Sequence, residues 1–330
     1  MKGSVRRREL STALGFLLPN FLGFAVFTAG PVLFSLIVSF SNWNLQRTIP
    51  FQWIGLRGYV ELMHDPLFWL YFINTAYLMI GIPVGIAGSL LLAILLSRRL
   101  RGLTLYRTMF YLPTITSGVA LMILWKNLYN PDFGPINVVI NWALSTFHVN
   151  DLPRAWAPHG ISAPQWLVST KSILGLEVER IGLTANQFGL GARDAIIIMS
   201  VWIAIGGNNM LLYIAALTNV PQDLVEAAQL DGAGKWGVFR NVSWPYLAPT
   251  TFFIVVMSFI GGFQGGFEQA RVMTMGGPAG TTTTMAYYIY TKAFEEFQIG
   301  YASAVSYVLF AIIFVITLIN WRLGNKELHY

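Results

Sequence analysis

Apolar runs of membrane-crossing length alternate along the chain with short polar segments. Six stretches are long and apolar enough to count: 12–40, 69–96, 107–126, 195–218, 247–267 and 302–321. A helix needs about 20 mostly apolar residues to cross the hydrocarbon core of a bilayer. The pattern therefore predicts an all-α, polytopic membrane protein with six transmembrane helices. Its expected organisation is an N-terminal tail (1–11), helices one to three (12–127), an insert (128–193), helices four to six (194–322) and a C-terminal tail (323–330). The first apolar run follows Met1-Lys-Gly-Ser-Val-Arg-Arg-Arg8, which looks like the start of a secretory signal. The run is about twice the length of a signal's apolar region and lacks a small-residue cleavage site, so it reads as an uncleaved anchor.

One polar stretch stands out, the loop 219–245 between the fourth and fifth runs. Pro221 and Asp223 suit a first helical turn, and Glu226-Ala227-Ala228 are strong helix formers. A glycine pair, Gly232 and Gly234, stops the helix, and the chain resumes toward Pro245. A short helix, a glycine break and a second short helix at a membrane surface predict a docking element.

Composition supports the membrane reading. Charged residues make up 11% of the chain and mean hydropathy is +0.56, whereas soluble domains carry about a quarter charged residues. The net charge of +6 is informative through its distribution. Segments 1–10, 97–107, 219–245 and 322–330 hold 12 Lys and Arg in 57 residues, against 8 in 125 for 41–67, 128–193 and 269–300. Basic residues concentrate in cytoplasmic loops, so both termini and the 219–245 loop are expected in the cytoplasm. The charge reports topology rather than nucleic-acid binding. Trp43, Trp53, Trp69, Tyr71, Trp125 and Tyr129 lie near run ends and fit an interfacial belt or ordinary lipid-facing positions. The proline-containing insert, with few charges, is expected to fold as a small lid.

Several chemistries have no residues to support them. No G-x-x-x-x-G-K-[ST] stretch is present to cradle ATP phosphates. Gly189-Leu-Gly191 lacks a third glycine and a preceding strand. There is no Cys, and His64, His148, His159 and His329 are scattered without H-E-x-x-H spacing. Ion-coupled carriers use buried ionisable groups, yet the apolar runs are almost free of carboxylates, with Glu268 alone near a run end. A transporter built this way draws its energy from another subunit.

Glu226-Ala227-Ala228, Gly232 four positions after Ala228, and Val242-Ser-Trp244-Pro245 resemble the EAA loop of ABC-importer permeases, E-A-A-x3-G-x9-I-x-L-P. Asp231-Gly232-Ala233 resembles the sugar-permease version. Met273 to Pro278, Thr281 to Thr284, Tyr287 to Tyr290, Ala293-Phe294 and Gly300-Tyr-Ala-Ser-Ala304 resemble the C-terminal signature of the maltose and glycerol-3-phosphate type. Pro19-Asn20, Pro31, Asn74-Thr75, Arg107-Thr108, Leu112-Pro113 and Asn130 to Gly134 fit the same family. The insert departs from it, being longer than in compact members and far shorter than the periplasmic domain of the maltose permease.

The resemblance implies a type I ABC importer permease fold in a bacterial cytoplasmic membrane, carrying a sugar or oligosaccharide. It also implies a second homologous permease subunit, two ATPase subunits that bind ATP and Mg, and a solute-binding protein. This chain would hold no cofactor of its own. Glu226, Ala227, Ala228, Asp231, Gly232 and Pro245 are the expected ATPase-coupling residues, with Asp231 placed to cap the second short helix. Asn208, Asn209, Tyr213, Gln264 and Glu268 are the expected solute-path residues: amides suit hydroxyls, and aromatic faces suit sugar C–H surfaces. Thr114, Thr116 and Ser117 are further candidates. The glycine pairs beside them equally fit close helix packing, and the two asparagines equally fit bonds between helices. The Gly276-Gly277-Pro278 turn and Thr281 to Thr284 are expected to meet the binding protein. An importer for another polar solute, such as glycerol phosphate or an amino acid, is the alternative; a non-transport membrane scaffold or sensor is the competing class.

Overall fold

The computed structural model describes residues 2–98, 101–147, 163–175 and 188–324. Among them the secondary structure is helical apart from two isolated β-bridges. Five helical runs are long and apolar enough to cross a membrane: Thr12–Val38, Pro66–Leu96, Ala192–Thr218, Lys235–Gln264 and Ile299–Arg322. The helix Lys2–Phe24 carries the first run straight back through the expected tail. His148, His159, His329, much of the insert and residues 325–330 lie outside the described residues.

The third expected span, 107–126, is not one helix. Leu103–Ile115 and Gly118–Leu128 meet at an angle of 98°. Thr116 is extended (φ −72°, ψ 141°) and Ser117 is also non-helical (φ −53°, ψ 128°). Apolarity continues across this point, but backbone direction does not. Two hydroxyl residues followed by a glycine end one helix and begin the next. The pair makes a sixth crossing only if the bent unit is counted as a single span.

The chain divides into two compact units, Met1–Asp65 with Ile289–Ala311, and Pro66–Tyr288 with Ile312–Tyr330. In the first unit, the span Thr12–Val38 is exposed over most of its length. Its far end is tied down: Ser39 and Ser41 are buried, and the Gly300 N–H donates to the Trp43 carbonyl at 3.1 Å. Tyr301 Oη donates to Asp65 Oδ2 at 2.8 Å. Ala302, Ser303, Ala304 and Val305 follow and are all buried, so the helix is enclosed on every side there.

The second unit is built on close contact between Pro66–Leu96 and Ala192–Thr218. Gly81, Gly85, Ser89 and Ala93 recur every four residues, line one helical face and are buried. Such stripes of small residues let membrane helices approach closely. A Cβ at Gly85 would sit 2.8 Å from the Ala204 Cβ. The opposing span is itself interrupted, because Gly207 is extended (φ −77°, ψ −153°) between helices Ala192–Gly206 and Asn208–Thr218. At this interruption the Ala204 carbonyl accepts the Gly207 N–H at 3.3 Å and the Ser89 hydroxyl at 2.8 Å.

One apolar cluster joins Ala93, Leu96, Met210, Tyr213, Ile214, Ala216, Leu247 and Ile254. A second joins Leu121, Met122, Trp125 and Tyr129 to Trp166, Ala195, Ile196, Met199 and Met273. Through Trp166 the described part of the insert packs into this second cluster. Burial raises the Tyr129 phenol above its ordinary range.

A Cβ at Gly206 would overlap the Phe110 carbonyl, whereas none of the surrounding atoms lies within 4 Å of one at Gly261. Gly206→Ala is expected to cost roughly 1–3 kcal/mol through overpacking against rigid backbone. Gly261→Ala is expected to stay within about 0.5 kcal/mol. Thermal unfolding of the two variants in detergent checks the difference.

Candidate functional site

The polar stretch between the fourth and fifth spans folds as one short helix and a turn. Pro221 takes the N-cap position and the helix runs Gln222–Leu230. It closes with the Gly232 N–H on the Gln229 carbonyl at 3.0 Å and the Ala233 N–H on the Ala228 carbonyl at 2.9 Å. That pair of bonds is a Schellman closure. It requires a left-handed residue, which Gly232 provides at φ +83°. Gln222 to Glu226, Ala227 and Asp231 are all exposed except Val225.

Two details differ from the sequence reading. Asp231 is the C-cap of the first helix, and Gly234 is the N-cap of the next, the place Asp231 was expected to take; the Gly232 turn separates Asp231 from that helix. The expected second short helix is also not separate. Lys235–Val238 passes through a π-helical turn, Phe239–Ser243, into Trp244–Gln264, giving 30 residues of continuous helix. Pro245 falls within the first two positions of that last segment. At the π turn the Trp244 N–H reaches the Phe239 carbonyl, so the helix shifts register where proline has no N–H to give.

The expected path residues separate. Asn208 is exposed and Asn209 half-buried at the start of the helix that follows the Gly207 interruption. Tyr213, one turn on, has 0% exposure inside the Ala93–Leu247 cluster. It therefore packs where a solute has no access in this structure. Gln264 ends the fifth helix and is exposed, and an interruption at Gly265-Gly266 parts it from Glu268, also exposed. Glu268 lies against the bend in the third crossing, where a Cβ at Gly118 would overlap its carboxylate. A helix N-terminus favours negative charge, and Gly118 is the first residue of Gly118–Leu128. Thr114 lies near the interruption of the fourth span, its Oγ1 3.4 Å from where a Gly207 Cβ would be. A cavity of about 180 Å³ lies at the Gly265-Gly266 interruption, lined by Thr75, Ser200, Gly261, Gly262, Gly265, Gly266, Gln269 and Thr284 among others.

Thr281 to Thr284 are buried, at 8% exposure or less. Thr282 Oγ1 donates to the Gly277 carbonyl at 2.7 Å and Thr281 Oγ1 to the Pro278 carbonyl at 2.8 Å. These hydroxyls satisfy their own loop, so they do not offer the contact surface that the sequence predicted. Asn74, fully buried on the second span, donates to the carbonyls of Gly280 (2.8 Å) and Thr283 (3.2 Å). Thr75 Oγ1 accepts the Met285 N–H at 2.9 Å.

Sequence reasoning overlooked a buried charged cluster at the start of the fourth span. Asp194 accepts from Tyr77 Oη at 2.6 Å, from the Gly191 N–H at 3.1 Å and from the Ile173 N–H at 3.2 Å. The Arg193 guanidinium lies 5.0 Å from the Tyr77 ring centre. The cluster pins the insert's described residues to the second and fourth spans. Adjacent opposite charges where a polar loop enters an apolar run were the available signal.

Residues 81–323 match the family model described as binding-protein-dependent transport system inner membrane component. A probable ABC transporter permease, YesP of Bacillus subtilis (strain 168), is 32% identical, with 99% of this chain and 94% of YesP covered. The lactose transport system permease LacF of Rhizobium radiobacter is 30% identical over 94% of this chain and 93% of its own. Among solved structures, a bacterial ABC transporter involved in import of the acidic polysaccharide alginate contains a chain similar in fold. The TM-score is 0.75 at 21% identity, with 98% of each chain covered.

Asn74→Ala would leave two buried loop carbonyls without their donor. A loss of about 1–3 kcal/mol is expected, seen as a lowered unfolding temperature of the purified protein.

Proposed function

This chain belongs to the family of binding-protein-dependent transport system inner membrane components, and from that premise we propose that it forms half of a carbohydrate pathway driven by a separate ATPase. It is a multi-pass inner-membrane permease subunit of an ABC importer, a transport subunit without an ATPase domain. The lactose system of its relative LacF supports a sugar or oligosaccharide as the solute. A second permease subunit completes the pathway, two ATPase subunits bind ATP and Mg, and a solute-binding protein delivers the sugar. The density of Lys and Arg supports cytoplasmic termini and a cytoplasmic 219–245 segment.

The observation that carries the coupling role is the helix Gln222–Leu230, polar, exposed and closed by Gly232. Glu226 offers a carboxylate to a basic residue of the ATPase, and Ala227 and Ala228 permit close approach. Asp231 and Gly232 fix the turn, while Pro245 belongs to the helix that leads away from it. On the solute side, Asn208, Asn209, Gln264 and Glu268 are the proposed contacts. Tyr213 supports Asn209 from inside the core.

Glu226→Lys or Gly232→Asp is expected to leave the chain in the membrane and to lower both uptake and solute-stimulated ATP hydrolysis at least tenfold. The measurement is transport in proteoliposomes containing the full complex; wild-type uptake by either variant would sink the coupling reading.

A further inference from the structure

We propose that a cleft in the insert is a second saccharide site, which holds a neutral sugar by its hydroxyls apart from the Asn208–Glu268 path. The proposal rests on the carbohydrate reading above and adds a binding site to it. The cleft has a volume of about 890 Å³, within the range of about 300–1,000 Å³ typical of small-molecule sites. One wall is the Pro131-Asp132 turn with the helix Pro135–Thr146. The other is formed by Ser169, Lys171 and Phe188 to Leu190. The cleft shares no lining residue with the cavity at Gly265-Gly266.

Both walls are held by bonds that leave the lining side chains unspent. Buried Asn137 donates through Nδ2 to the carbonyls of Pro131 (3.2 Å) and Pro164 (3.1 Å), and its Oδ1 accepts the Trp166 Nε1–H at 2.7 Å. Pro131 and Pro164 both line the cleft, so one buried amide fixes two of its loops. On the other wall, the Gly189 N–H donates to the Ser172 carbonyl at 3.2 Å and the Ala192 N–H to the Ser169 carbonyl at 3.0 Å. A Cβ at Gly191 would overlap the Lys171 carbonyl, so the Gly189-Leu-Gly191 stretch serves close backbone packing in this wall.

The side chains left over identify the occupant. Asp132, Asn141, Gln165 and Lys171 are exposed, and among the described residues none of their side chains has a hydrogen-bond or ion-pair partner. Phe188, 66% exposed, adds one aromatic face. A carboxylate needs donors, an ammonium needs acceptors and amides need both. Sugar hydroxyls donate and accept, and sugar C–H surface suits an aromatic ring, so one ligand satisfies the whole lining. The single acid and single base cancel in charge, which favours a neutral ligand over an ion. A lipid chain would find no continuous apolar surface here.

The test uses the full complex in lipid nanodiscs without its solute-binding protein, probed on an array of neutral and acidic oligosaccharides. At least one neutral glycan is expected to be retained. Asp132→Ala and Lys171→Ala are each expected to weaken that retention at least tenfold, since each removes a charge-assisted hydrogen bond. Both side chains are exposed, so the unfolding temperature should not move. Ser145→Ala, on the helix of Asn141 but outside the cleft, is the control. No neutral glycan retained by the wild type, or equal retention by the two alanine variants, would overturn the proposal. Retention lost in Gln264→Ala but kept in both would assign the binding to the path and overturn it as well. Retention of acidic glycans alone would overturn the neutral assignment. If the complex holds no glycan but binds the solute-binding protein, and the two alanine variants do not, the cleft is a protein contact instead. Uptake of the array sugars by proteoliposomes of the complete complex separates the two readings. Uptake without cleft-dependent retention removes only the cleft, whereas no uptake of any sugar removes the carbohydrate reading itself.

Discussion

A helix interrupted inside a membrane leaves backbone carbonyls with no water to bind, and much of this fold depends on how one such interruption is tolerated. At Gly207 the fourth span loses its regular hydrogen-bond register, and the buried hydroxyl of Ser89 donates to the Ala204 carbonyl beside the gap. That bond is possible only because Gly81, Gly85 and Ala93 keep the two spans close on the same face. An unpaired polar group in hydrocarbon costs several kcal/mol, so the small-residue stripe and the interruption require each other. The result is an exposed Asn208 and a half-buried Asn209 at the start of a half-helix in mid-span, instead of an unbroken apolar cylinder.

Much of this could be read from the sequence. Apolar run length located five spans to within a few residues at most ends, because a bilayer fixes the length of a helix that must cross it. The Gly232 stop was equally readable, since a helix that ends in a left-handed residue favours glycine. What stayed hidden was direction. Run length counts apolar residues and carries no information about a 98° bend, so Thr116 and Ser117 read as further solute-path candidates within one unbroken span. The same limit moved the start of the fifth helix: Gly234 resembles a break on both sides, yet the helix that begins at Lys235 continues to Gln264.

The partner of each polar side chain was also hidden. Tyr213 and Asn209 share a helical face, as the four-residue spacing requires, but spacing does not say what packs against it; Leu247 and Ile254 of the fifth span join Tyr213 in one cluster. Thr281 to Thr284 look like a polar surface until their hydroxyls are seen bonded within their own loop. Asn74, Thr75 and the Gly300–Ala304 stretch carry the family resemblance, and each proves to be architectural: amide donors to a buried loop, an acceptor for the Met285 N–H, and a tight packing face. Their recurrence in a signature reflects the demands of the fold as much as those of the solute.

Architecture and coupling converge in the fifth span. Its Gln264 end borders the glycine-lined cavity, and Glu268 just beyond it lies against the bend of the third crossing. Its other end is the helix that leaves the Gly232 turn. Between these ends lie a π turn and the internal Pro249, with no loop. A π turn and an internal proline are both places where a helix axis bends, because each disturbs the regular ladder of backbone hydrogen bonds. The run Lys235–Gln264 is thus one helix with two places at which its axis can turn. It ends at Gly265-Gly266, where Gly266 adopts φ +82°. The polar segment and the glycine-lined cavity are thereby joined through helix rather than loop, and that is the constraint any coupling between them would have to obey.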